Sequence, residues 1–200
     1  HVDDSVAFQV YNNLREDAAS IAAVNETKGQ VVFAENQVAE TYFYSVSAGV
    51  SAGIKEVWFA KKDRSYLMPS VLLGDSRKTL DLQKEADFSK FLKDETKSYD
   101  ANSPWYPWRT TVSEKQLQQF ISEKIKSRYE KNPTQIQTKQ KDGTFFSTGQ
   151  TELGEIKKVE ILKRGKSGVA VMAQITGSKN TLRIYTEYNL RNLFGGEKLI

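Results

Sequence analysis

The stretch EIKKVEILKRGKSGVAVMAQITGSKNTLRIYT, Glu155 to Thr186, alternates apolar and polar residues in three runs. Val159 and Ile161 mark the first, Val169, Val171, Ala173 and Ile175 the second, and Leu182 and Ile184 the third. A repeat of two is the side-chain period of a β-strand, so each run carries one apolar face. The separators, "RGKSG" and "TGSKN", are rich in turn-forming residues. Strands joined so closely pair antiparallel, and the shared apolar face must be buried against something. The following segment, EYNLRNLFGG, provides a short helix with Leu190, Leu193 and Phe194 inward and Gly195 as its stop. The fold class is therefore α+β: antiparallel hairpins and a C-terminal three-stranded meander packed with a few short helices.

The chain divides into three blocks, read as one domain with a subdomain. Residues 1–75 form a hairpin block. There "SIAAVNETKG" reads as a helix with Ile21 and Val24 on one side and Gly29 as its stop. "QVVFAENQVAETYFYSVS" reads as a hairpin turned at Glu35, Asn36 and Gln37, with Thr41, Phe43, Ser45 and Ser47 on one face of the second strand. Residues 76–130 form a helical block with a tryptophan-rich segment. Leu82, Ala86, Phe88 and Leu92 fall at helical spacing, and "SEKQLQQFISEKI" carries a Ser113–Gln116 capping box before Leu117, Phe120, Ile121 and Ile125. Residues 131–200 begin with the polar "KNPTQIQTKQKDGTFFSTGQTE", which predicts a loop or insertion, and end with the meander.

Residue usage removes whole classes of chemistry. Cysteine is absent and His1 is the sole histidine. Disulfides, thiolate catalysis, Cys/His zinc sites and a histidine triad are excluded. No metal or cofactor is expected. Acid–base work would fall to carboxylates, tyrosine or lysine. No run of 18 apolar residues is present. The net charge of +4 is uneven, −5 over residues 1–60 and +9 over residues 61–200. Lys157, Lys158, Lys163, Arg164 and Lys166 lie along one edge of the meander, where they either bind an anionic polymer or form a solvated face.

The segment TYFYSVSAGVSAGIKEVW, Thr41 to Trp58, spends more small residues than a hairpin needs. Two readings stand. Ser45 and Ser47 on one strand face, followed by Ala48, Gly49, Ser51 and Gly53, leave room for a polymer backbone and offer hydroxyls to it. Alternatively the glycines serve a tight turn that needs φ > 0. Trp105, Tyr106 and Trp108 are likewise either sugar-stacking rings or core anchors. Asp3 and Asp4 read as an exposed acidic terminus.

"AFQVY", "AAVNETKGQVV", "AETYFYSVSAG", "EVWF" and "SYLMPSV" occur in the order and spacing of the stage II sporulation protein D family and its amidase-enhancer (LytB) relatives. The segment from Gly154 to Gly195 is similar to that family's closing meander and helix. The resemblance touches most of the chain. It implies an exported, extracytoplasmic bacterial cell-wall protein acting on peptidoglycan glycan strands, like a sporulation lytic transglycosylase, or else a non-catalytic glycan binder or activator of a cell-wall amidase. The substrate-binding residues it implies are Tyr44, Ser45, Ser47 and Gly49, with Gln9 and Tyr11 close by and Trp58 packed beneath. The partners are the glycan strand and a cell-wall amidase, not nucleic acid; membrane anchoring would come through a segment not present here. The sequence departs from the pattern at Ala48, where the family has glycine, and at Val169, where it has arginine. The family's catalytic glutamate is expected upstream of this chain, whose N-terminal portion the resemblance implies is missing. Glu26, Glu40 and Glu56 are the nearest carboxylates in the matching block, and none is assigned as the catalyst.

Overall fold

A computed structural model describes residues 14–44, 46–47, 49–58, 64–70, 80–93, 98–104, 106 and 109–195. The chain forms two compact units, residues 1–43 and 44–200.

In the first unit, helix α1 (Ala18–Glu26) begins two residues before the expected Ser20. The reason is Asp17, whose carboxylate accepts the Ala19 and Ser20 amides at 2.9 and 3.0 Å and so caps the helix. Strands β1 (Phe33–Ala34) and β2 (Gln37–Val38) form a hairpin. Its turn residues are Glu35 and Asn36, at φ 50° and 58°, the left-handed pair of a tight hairpin turn. The expected long second strand stops early. The last backbone bond of the hairpin runs from the Ala39 amide to the Val32 carbonyl, and Tyr42 and Phe43 beyond it are both exposed. None of the described residues of this unit is buried.

The second unit is built on a five-stranded antiparallel sheet in the order β4-β3-β7-β6-β5. Its strands are β3 (Ile136–Lys139), β4 (Phe145–Phe146), β5 (Ile156–Arg164), β6 (Ala170–Gly177) and β7 (Thr181–Tyr185). β5, β6 and β7 are the expected meander. The segment expected to be a loop instead supplies β3, which pairs with β7 and carries β4 outside it. In β3 Ile136 and Thr138 are buried while Gln137 and Lys139 point away, so the period of two is present, with threonine at an inward position. That threonine is satisfied there: its hydroxyl donates to the Gln150 carbonyl at 2.8 Å.

Among the described residues, this unit has the α-helices α2 (Ile54–Val57), α3 (Glu85–Lys93), α4 (Glu114–Lys131) and α5 (Glu187–Phe194). α4 starts at the expected capping box, with Ser113 accepting the Gln116 amide and Gln116 accepting that of Ser113. Ile121 and Ile125 of α4 join Leu190 and Leu193 of α5 over Ile136, Ala173, Ile175, Leu182 and Ile184 of the sheet. One face of the sheet is thus a closed apolar core.

Besides Thr138, a second polar residue of the described chain is buried against that core. Asn189 is 1% exposed. Its amide nitrogen donates to Gln135 Oε1 at 2.8 Å and to the Tyr185 carbonyl at 2.9 Å, and its oxygen accepts Arg128 Nε at 2.9 Å. Asn189 thereby joins α5, the strand end and α4. Removing it leaves half-buried groups on three sides without their partner, which costs more than one ordinary hydrogen bond returns. Asn189→Ala is expected to destabilise the protein by about 2–3 kcal/mol in urea unfolding followed by circular dichroism. A loss under about 0.5 kcal/mol would show the network to be dispensable.

Candidate functional site

The small-residue segment is held from several directions. The Ser47 amide donates to Asp100 Oδ2 at 2.7 Å, and Ser47 Oγ accepts the Gly49 amide at 3.2 Å. Ser47 is 8% exposed and Gly49 is buried. Gly49 sits at φ 92°, where a side chain is strained, so the tight-turn reading accounts for this glycine. Further on, the Ser51 amide donates to the Ser70 carbonyl at 2.8 Å, the Ser70 amide to Ser51 Oγ at 3.0 Å, and the Ile54 amide to the Leu67 carbonyl at 2.9 Å. Residues 64–70 therefore run alongside residues 51–54. Gly53 permits the approach: a Cβ there would lie 2.8 Å from Pro69 Cδ.

Glu56 is the junction between this segment and the sheet. Its carboxylate accepts the Gly53 amide at 3.1 Å, which starts α2. It also accepts the amide and the hydroxyl of Ser167 in the β5–β6 turn. A side chain on Gly165 would collide with it. The same turn is gripped from the other side by α3. Arg164 donates to both carboxylate oxygens of Glu85 at 2.7 and 3.1 Å, and to the Gly168 carbonyl at 3.0 Å. Its guanidinium stacks 3.7 Å above the Phe88 ring. The hydrogen bonds from Arg164, and secondarily its charge, hold the Glu85 carboxyl below the usual range.

Asp100 is the carboxylate beside Ser47. The Ser47 amide first, and its hydroxyl second, lower the Asp100 pKa. Asp100 therefore stays ionised at neutral pH, as a hydrogen-bond acceptor rather than a proton donor.

Of the site residues expected from sequence, Gln9, Tyr11 and Ser45 lie outside the described residues. Tyr44 is 56% exposed, whereas Ser47 and Gly49 are turned into the structure. Trp58 is not packed beneath the segment. It is 64% exposed, because α2 ends at Val57 and leaves Trp58 as the cap residue. Glu26 and Glu40 are exposed and belong to the first unit. Trp105 and Trp108 lie outside the described residues, and Tyr106 is half-buried.

The meander's basic row is largely committed to neighbours. Lys157 pairs with Glu155 at 2.6 Å, Lys158 with Glu160 at 2.7 Å, and Arg164 is consumed by Glu85 and Phe88. Among the described residues, no group of three or more Asp, Glu or His side chains could hold a metal ion. No helix of the described residues is long and apolar enough to cross a membrane. No family model, no curated protein and no solved structure matches this chain.

Sequence reasoning did not assign Asp100 a role, and it singled out Glu56 without finding its partners. The quoted "RGKSG" turn held the only signal, since a glycine–serine turn can receive a carboxylate. Glu56→Ala is expected to cost about 1–3 kcal/mol in urea unfolding, because three donors lose one acceptor; a near-zero change would remove Glu56 as the junction. Asp100→Asn tests the other anchor. A lowered folded-state pKa adds stability above the unfolded value near 4, lost as pH falls through the folded value. The variant is expected to be less stable than wild type at pH 7 and to converge with it as the pH falls through the lowered folded-state value of Asp100. A gap that stayed constant across that range would show that the Asp100 charge contributes nothing.

Proposed function

We propose that this chain is an extracytoplasmic bacterial cell-wall protein whose role is to hold peptidoglycan glycan strands. The supporting observation is the pair of rings bracketing the small-residue segment in sequence, Tyr44 and Trp58, 56% and 64% exposed. Large aromatic side chains are ordinarily removed from water, and their flat faces suit the apolar faces of sugar rings. The resemblance of the flanking motifs to the stage II sporulation protein D family points to the same polymer.

Holding is favoured over cutting by the state of the carboxylates near the segment. A lytic transglycosylase needs a protonated carboxyl group at the glycosidic oxygen. Asp100 is held ionised by Ser47, and Glu56 accepts three hydrogen bonds from the backbone and Ser167. Asp100 therefore has no proton to give at neutral pH, and Glu56 is already engaged by its three donors. The binding reading also covers a role as activator of a cell-wall amidase, which needs the strand and the partner but no acid.

The test is titration of glycan strands freed of their peptide stems. Trp58→Ala and Tyr44→Ala are each expected to weaken binding five- to tenfold, the equivalent of about 1 kcal/mol per stacked ring. Wild-type affinity in both variants would sink the reading. The same incubations, analysed for released muropeptides, decide between roles: release by this chain alone would establish a cutting enzyme instead.

A further inference from the structure

The sheet has a second face, which the apolar core leaves uncovered. Adjacent strands bring Glu160, Gln174, Arg183 and Gln137 into one row, through the pairs Glu160–Gln174, Gln174–Arg183 and Gln137–Arg183. With strands about 4.8 Å apart, the row is about 14 Å long. Its members are half-buried rather than free-swinging. Arg183 Nε donates to Gln174 Oε1 at 3.4 Å, and its guanidinium lies 3.8 Å above the Phe145 ring. Tyr185 hydroxyl donates to Gln137 Oε1 at 3.2 Å in the neighbouring row.

Two features make this row more than a wet sheet surface. Arg183 is held flat by Phe145 and pinned through Nε, so among the described residues its two terminal nitrogens are left without a hydrogen-bond partner. A fixed guanidinium with both terminal nitrogens open is a fork matched to a carboxylate. The surrounding charge has the complementary sign. Glu160 is neutralised by Lys158, while Lys139 and Lys163 on the same face are exposed and form no ion pair among the described residues.

We propose that this face binds a carboxylate-bearing polysaccharide, with Arg183 receiving the carboxylate and Gln137, Gln174 and Tyr185 receiving hydroxyl groups along the row. The proposal rests on the glycan-binding reading and extends it. It assigns recognition of the acid groups of the strand to the open sheet face, separately from the aromatic segment. A glycan strand whose stems an amidase has removed displays such a group on each muramic acid residue.

The experiment compares three ligands at low and high salt: those stem-free strands, a neutral N-acetylglucosamine hexasaccharide, and polyuridylate. Wild type is expected to bind the strands at least tenfold more tightly than the neutral oligomer, with the difference shrinking as salt screens the charges. Arg183→Gln is expected to lose that tenfold preference, and Arg183→Lys to recover it only in part, since lysine keeps the charge but not the fork. Lys139 is exposed and is not itself part of the Arg183–Phe145 stack; Lys139→Glu is expected to weaken strand binding even if Arg183→Gln unfolds. If Arg183→Gln and Lys139→Glu both bind like wild type while Trp58→Ala does not, the sheet-face assignment is overturned and the glycan reading stands. If wild type binds no glycan at all, both fall. Equal affinity for the neutral oligomer removes the carboxylate, and equal affinity for polyuridylate makes the face a general polyanion surface; either result overturns the proposal.

Discussion

One carboxylate, that of Glu56, ties the irregular half of the second unit to its sheet. It accepts the amide that starts α2 and both donors of Ser167 in the β5–β6 turn. The tip of a β-hairpin ordinarily frays, because its last residues pair with little. Here the tip has α2 on one side and the Arg164–Glu85–Phe88 cluster of α3 on the other. Gly165 leaves the space that Glu56 fills, and Gly168 lets Phe88 and Leu82 approach the turn. A two-residue gap in side-chain volume thus decides where two helices attach. Glu56 thus makes the start of α2 and the hairpin tip depend on one another, alongside the Asp100 and Ser70 contacts that hold the rest of the segment.

The sheet itself is asymmetric by construction. Antiparallel sheets tolerate one wet face, and alternation sends every second residue to it. Ala173, Ile175, Leu182 and Ile184 face α4 and α5, and the residues between them build the polar row around Arg183. Burial of the first set fixes the register, because a slip of one residue would exchange the faces. The polar row is therefore as precisely positioned as the core, although none of its members is in the core. Ordering Arg183 through Phe145 and Gln174 spends side-chain entropy during folding rather than at binding.

Much of the second unit was legible because its information is periodic. The meander, the capped start of α4 and the inward residues of α5 all follow from spacing within a few residues. β3 was not legible, since Thr138 and Gln137 look equally polar until Gln150 is known to accept the threonine hydroxyl. The site was less legible still. Ser47 and Asp100 are 53 positions apart, and Glu56 and Ser167 are 111 apart. Single side chain-to-backbone bonds at such separations leave no repeat in a sequence. The strand expected through Tyr44 failed for the opposite reason: its aromatic alternation is real, but the hairpin's backbone bonds end at Ala39.

These constraints change where function can reside in the Thr41–Trp58 segment. Its small residues invite a reading as a polymer groove, yet Gly49 answers to a backbone angle, Gly53 to the Pro69 ring, and Ser47 and Ser51 to partners within the fold. Side chains already spent on structure are poor ligand groups, because binding would have to break what holds them. Tyr44 and Trp58, at the segment's ends, keep 56% and 64% of their surface exposed to solvent.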